Sequence, residues 1–235
     1  MATNNTVTVS YFSDILCIWA YIAQIRLDQL RKQFPDRATI NCHYLSVFGD
    51  TATKIGSGWQ DRGGYQGYHD HLQTLTEQYD HISIHPDLWL RDQPPSSQGC
   101  HLFLKAIQLL QHDGLIPDPS GPQNSNRSLL EEAAWRFRLA FFRDGLNIAR
   151  HENQLAIAEQ LNLPVDEIGK RIDDGSAFAA LSADNAMCNQ YRIHGSPTFV
   201  LNEGRQILYG NIGYRIIEAN IQELLEHPHN RASWC

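Results

Sequence analysis

The apolar positions change their period twice over residues 6–45. Thr6 to Ser13 alternates moderately and is rich in Val and Thr, the pattern of a strand. From Cys17 to Phe34 the residues Ala20, Ala23, Leu27, Leu30 and Phe34 recur at steps of three and four, one stripe of a helix. Asp28, Arg31 and Lys32 sit off that stripe, and Pro35 with Asp36 stops the helix. Thr39 to Leu45 alternates again. Strand, crossover helix and second strand are therefore expected at the start of the chain.

The middle has a different rhythm. Lys54 to Gly67 is polar, glycine-rich and aromatic, which predicts a mobile loop. Helical patterns follow at 65–79, 97–112, 127–143, 151–161, 164–173 and 176–191. Breakers separate them at Asp92–Pro95, Pro117–Ser128 and Leu163-Pro164. Cys100, Phe103, Leu104, Ile107 and Leu110 form the stripe of the second of these helices. Strand patterns return at Thr198–Leu201 and Gln206–Tyr209 around Asn202-Glu203-Gly204-Arg205, a hairpin turn with its glycine. A last helix over 213–226 carries Ile217, Ile221 and Leu224 on one face. The expected architecture is α/β: a split sheet domain, residues 1–48 and 192–235, with an inserted helical domain over 49–191.

Composition narrows the class. With 19 basic and 26 acidic residues the net charge is −7, and no run of five like charges occurs. A nucleic-acid or anionic-membrane footprint is not expected. No apolar stretch approaches the ~18 residues of a membrane span, and Met1 to Thr6 shows no basic and apolar leader. A cytoplasmic setting is the expectation. The five cysteines, Cys17, Cys42, Cys100, Cys188 and Cys235, are odd in number, widely spaced and without a C-x-x-C pair. Neither a disulfide framework nor a zinc site follows from that spacing.

Cys17 stands out because it ends a strand-like run and opens a helix. A thiol there meets unpaired N–H groups and the positive end of the helix dipole, which predicts a lowered pKa. About 180 residues later comes Gly195-Ser196-Pro197-Thr198-Phe199, a strand entered through proline. Together these two segments read as a thioredoxin-type domain. A dithiol enzyme has its second cysteine three residues after the first; this chain has Ala20.

The pieces resemble the DsbA-like thioredoxin superfamily, and within it the FrnE and 2-hydroxychromene-2-carboxylate isomerase branch. Tyr11-Phe12-Ser13-Asp14-Ile15-Leu16-Cys17-Ile18-Trp19-Ala20-Tyr21 is similar to the family's Asp-x-x-Cys-Pro-Trp-Cys-Tyr segment. Ser97-Gln98-Gly99-Cys100-His101 resembles its Asn-Thr-x-x-Ala-His stretch, and Phe141 to Ile148 its Phe-x-x-Gly-x-Asp-Ile signature. Gly195 to Phe199 resembles its cis-proline loop. The resemblance implies a thioredoxin-like fold with a large helical insertion, Cys17 as nucleophile, a cis Pro197, and a substrate groove beside Trp19, Ser196, Pro197, Ser97 and His101. In this chain the motif is Cys-Ile-Trp-Ala, so a mixed disulfide at Cys17 would be resolved by an outside thiol such as glutathione or by a distant cysteine.

Other residues read more plainly. Asp14 suits a helix cap, Tyr21 a packed position, and Cys42, Cys100 and Cys188 core positions. His69, His71, His81, His85 and His101 cluster in the insertion without a metal-ligand pattern, so no metal is expected. The leading reading is a thiol oxidoreductase working through one cysteine with glutathione as second thiol and a thiol or disulfide as substrate. The alternatives are a glutathione-dependent transferase or isomerase on a small organic substrate, and a non-catalytic binding module. A homodimer is left open.

Overall fold

The computed structural model describes residues 5–117, 127–227 and 233. Met1 to Asn4, most of the Pro117–Ser128 breaker and Cys235 lie outside the described residues. Strand β1 (Val7–Ser13) runs parallel to β2 (Ala38–Tyr44) across helix α1 (Ile18–Gln33). After the helical region, β3 (Thr198–Leu201) inserts antiparallel beside β1, and β4 (Gln206–Tyr209) pairs with β3, giving the order β2-β1-β3-β4. Helix α8 (Tyr214–Glu226) closes the unit. Val9 pairs with Leu201 and Tyr11 with Phe199, so their side chains share a face. That face buries Leu27 and Leu30 of α1 with Ile217, Ile221 and Leu224 of α8. Phe12 and Val200 point to the other face and pack with Cys188.

The region between β2 and β3 is helical, as its periodicity predicts. It comprises α2 (Gly64–Thr76), α3 (Gln98–His112), α4 (Leu129–Arg138), α5 (His151–Gln160), α6 (Val165–Asp173) and α7 (Ser176–Gln190). A π-helical turn, Leu139–Arg143, prolongs α4. Ser128 and Glu131 form a reciprocal capping box that starts α4. The core here is continuous with the front of the chain: Ile15, Leu16, Cys17, Tyr21 and Ile22 belong to the same buried cluster as Phe103, Phe137 and Phe142. Tyr21 is stacked on Phe142 and Trp135 at 4.8 and 5.3 Å.

One expectation is corrected. Residues 54–67 are not an unstructured loop: Ala52–Ser57 is a π-helical turn, Gln60–Arg62 a short 3₁₀ turn, and α2 already begins at Gly64. The glycines that suggested mobility serve close packing instead. Gly63 takes φ +93°, and a Cβ on Gly67 would lie 1.6 Å from the Arg62 carbonyl oxygen.

A buried polar joint ties the helical region to the sheet. Asp184 of α7 accepts from the Tyr44 N–H at 2.9 Å and from Lys105 Nζ of α3 at 3.0 Å, and pairs with His43 Nδ1 at 2.8 Å. Burial alone pushes its carboxyl up, but these partners outweigh burial and hold it below the usual carboxylate range.

Candidate active site at Cys17

The turn Asp14–Leu16 carries the chain from β1 to Cys17, which is the N-cap of α1 with extended backbone, φ −81° and ψ 117°. Its carbonyl accepts the N–H groups of Ala20 and Tyr21, both at 3.1 Å. The thiol therefore stands at the helix end whose first N–H groups lack helical partners. The Ser196–Pro197 peptide is cis. Cys17 Sγ donates to the Ser196 carbonyl oxygen at 3.3 Å. Ser196 Oγ accepts the Asp14 N–H at 2.9 Å. The Ser196 side chain also acts on the thiol, pulling it towards thiolate.

Asp14 anchors the turn from within. Fully buried, it accepts from the Leu16 N–H at 2.9 Å, the Phe48 N–H at 2.8 Å and Ser97 Oγ at 2.9 Å. It is not the helix cap that its position suggested, because Cys17 is the N-cap of α1 and no side chain bonds to the first N–H groups of the helix; instead it joins three separate segments behind the thiol. His101 completes the cluster: its Nε2 accepts the Ile15 N–H at 3.1 Å, and its ring stacks on Tyr44 at 5.2 Å. Burial holds the imidazole below its ordinary pKa, and an Nε2 that accepts places the ring proton on Nδ1.

Burial also governs Cys17, and this overturns the expected lowering of its pKa. The side chain is enclosed, with 5% of the residue exposed, and removal from water pushes the thiol up. The Ser196 side chain and the N–H groups of Ala20 and Trp19 pull in the opposite direction, while the Asp14 carboxyl adds to the rise. The helix end favours a thiolate, but here it lies inside the protein, and desolvation wins.

The expected site residues fall into two groups. Cys17, Ser196 and Pro197 come together, and Trp19 is half-buried beside Cys17, packed on the core. Ser97 and His101 were expected to face a bound ligand, yet they are 1% and 0% exposed and turn to Asp14 and the Ile15 N–H. They support the turn from behind. The part of Asp14 as a hub, and the Phe48 N–H that it holds, were not foreseen; the only signal was an acidic residue three places before the cysteine. Ala20 is fully buried. The histidines of the insertion are largely spent on backbone: His69 Nδ1 pairs with the Leu88 carbonyl at 2.8 Å and His81 Nε2 with the Ile22 carbonyl at 3.1 Å. Cys17, Cys42, Cys100 and Cys188 are free, buried thiols. Among the described residues no helix is long and apolar enough to cross a membrane.

The sheet order, the Cys17 helix start and the cis-proline loop together define an α/β DsbA-like thioredoxin fold with an inserted helical region. Solved structures of that class align over nearly the whole chain. A probable DsbA oxidoreductase from Streptomyces coelicolor matches with TM-score 0.69 and 19% identity, over 97% of this chain and 93% of its own. The cytosolic disulfide reductase DsbM from Pseudomonas aeruginosa matches with TM-score 0.65 and 19% identity, over 92% and 98%, and a structure of it with GSH is similar too. A 2-hydroxychromene-2-carboxylate isomerase matches with TM-score 0.61 and 14% identity, over 96% and 100%. No family model and no curated protein matches the sequence. At these identities the likeness establishes the fold.

Proposed function

We propose that the protein is a thiol–disulfide oxidoreductase acting through Cys17 alone, with glutathione as the second thiol. The observation that carries this reading is the 3.3 Å contact between Cys17 Sγ and the Ser196 carbonyl at a helix N-terminus. In the forward step the Cys17 thiolate attacks one sulfur of a substrate disulfide. A Cys17–substrate disulfide forms, the old S–S bond breaks, and the other half leaves as thiolate. With Ala20 where a dithiol enzyme has its second cysteine, a glutathione thiolate then attacks the substrate sulfur of that mixed disulfide. Cys17 is released as thiolate and a substrate–glutathione disulfide departs. The Cys17 proton, directed at the Ser196 carbonyl while the thiol is intact, passes to water as the thiolate forms, and water returns one to the departing thiolate; Trp19 and the Ser196–Pro197 backbone face the incoming thiol. Asp14, with Ser97 and His101 behind it, positions the turn. The reading includes a reducing, cytoplasmic compartment, since the outside thiol must be kept reduced. The similar disulfide reductase solved with GSH supports it.

A second reading is favoured by one observation, the upward push on the Cys17 thiol. A cysteine that stays protonated suits a donor that orients bound glutathione, as a transferase or isomerase acting on a small organic substrate requires. Intact-mass analysis after exposure to oxidised glutathione separates the two. A single glutathione adduct on the wild type, absent from Cys17→Ser, is the expected result. Binding of reduced glutathione without any adduct establishes the second reading instead, and neither adduct nor binding leaves a non-catalytic binding module.

A further inference from the structure

Beneath α1, where β1 and β2 meet α4, lies a cavity of about 10 Å³. Three polar atoms of its lining residues have no hydrogen-bond partner among the described residues: Tyr11 Oη, Tyr44 Oη and Arg138 Nε. Tyr11 and Tyr44 are 1% exposed and Arg138 3%. The other arms of the guanidinium are occupied, Nη1 by Gln24 Oε1 at 3.4 Å and Nη2 by Ser13 Oγ at 3.0 Å. Leaving a buried polar atom unpaired is destabilising. Three such atoms on residues that line one void are what a bound polar molecule would relieve.

We propose that this cavity is a binding site for one water molecule shared by Tyr11, Tyr44 and Arg138. Volume and chemistry select the occupant. A water needs roughly 10–15 Å³ by this measure and two to four polar partners; the void offers that space, and the Glu131 carboxyl among its lining residues disfavours an anion. The water accepts from Arg138 Nε–H and from one phenol, and donates to the oxygen of the other phenol. Its remaining hydrogen faces the Glu131 carboxyl, which lines the same void and is paired with Arg31. Burial keeps both phenols protonated by pushing them above their ordinary value. The water thus links both strands to α4 directly under the helix that begins at Cys17.

Removing single oxygens tests the site. With the water present, Tyr11→Phe and Tyr44→Phe each lower the urea midpoint, and the double variant loses less than the sum, because the first change already releases the shared water. In a dry cavity each change deletes an unsatisfied hydroxyl, so unchanged or higher midpoints overturn the proposal, as do strictly additive losses. A high-resolution crystal structure grown in bromide gives a second reading that needs no variant. One density peak within hydrogen-bond distance of all three atoms, without anomalous signal, is expected. An empty void, or an anomalous peak from a halide, overturns the water.

Discussion

The Ser196 hydroxyl oxygen accepts the Asp14 N–H at 2.9 Å, joining the turn before Cys17 to the loop before β3 across 182 residues of sequence. The same side chain pulls the Cys17 thiol towards thiolate. Ser196 therefore combines two tasks, fixing the turn and tuning the thiol.

Ser196→Ala removes both. A hydrogen bond to a charged group contributes about 1.5–3 kcal/mol, so the alkylation midpoint of Cys17 should rise by roughly one to two pH units. Iodoacetamide reactivity against pH, corrected with Cys17→Ser, measures it. The wild type should itself titrate above a free cysteine, because burial pushes Cys17 up. A midpoint at or below that of free cysteine would show that the enclosed site is more hydrated than its 5% exposure indicates.

Ala20→Cys should convert the motif into one that closes a disulfide. The Ala20 N–H bonds to the Cys17 carbonyl at 3.1 Å, so the two residues lie one turn apart on one helix face. Mild oxidation, with the remaining cysteines replaced, should remove two free thiols. Retention of both thiols would mean that the side chain at position 20 cannot turn from the core towards Sγ.

Asp14→Ala leaves the Leu16 and Phe48 N–H groups without their acceptors inside the protein. A loss of about 3 kcal/mol or more in urea unfolding is expected. Ser97→Ala removes only one donor to the same carboxyl and should cost about 1 kcal/mol. Equal losses for the two would show that Asp14 is not the hub.

Stability should fall on both sides of neutrality, for opposite reasons. His101 is held below its ordinary pKa, so the unfolded chain binds its proton first. The stability it contributes is present above the unfolded value of about 6.5 and is lost as pH falls below it. The buried thiols are pushed up, Cys188 to about 11, so the unfolded chain releases protons first. Their contribution is complete below the ordinary value of 9.0 and is lost as pH rises through that of Cys188, at up to about 1.4 kcal/mol per unit for each thiol. Cys188→Ala should flatten the alkaline limb in urea titrations at several pH values. An unchanged alkaline slope would remove Cys188 from the account.

The sequence by itself determined whatever depends on local period. Steps of three and four placed α1, α3 and α8, alternation placed the strands, and Asn202-Glu203-Gly204 placed the hairpin, where all three residues take positive φ. Cys17 at a helix start and Ala20 on its buried stripe were legible for the same reason. The order of residues 52–62 was not, since the approach of Gly67 to the Arg62 carbonyl is a contact that composition does not record. Nor were the partners of Asp14, which lie 34 and 83 residues away at Phe48 and Ser97. The state of Cys17 was decided by tertiary structure alone. A helix end favours thiolate in any sequence, but how strongly it does so depends on the water excluded by segments far along the chain, and here they enclose the sulfur.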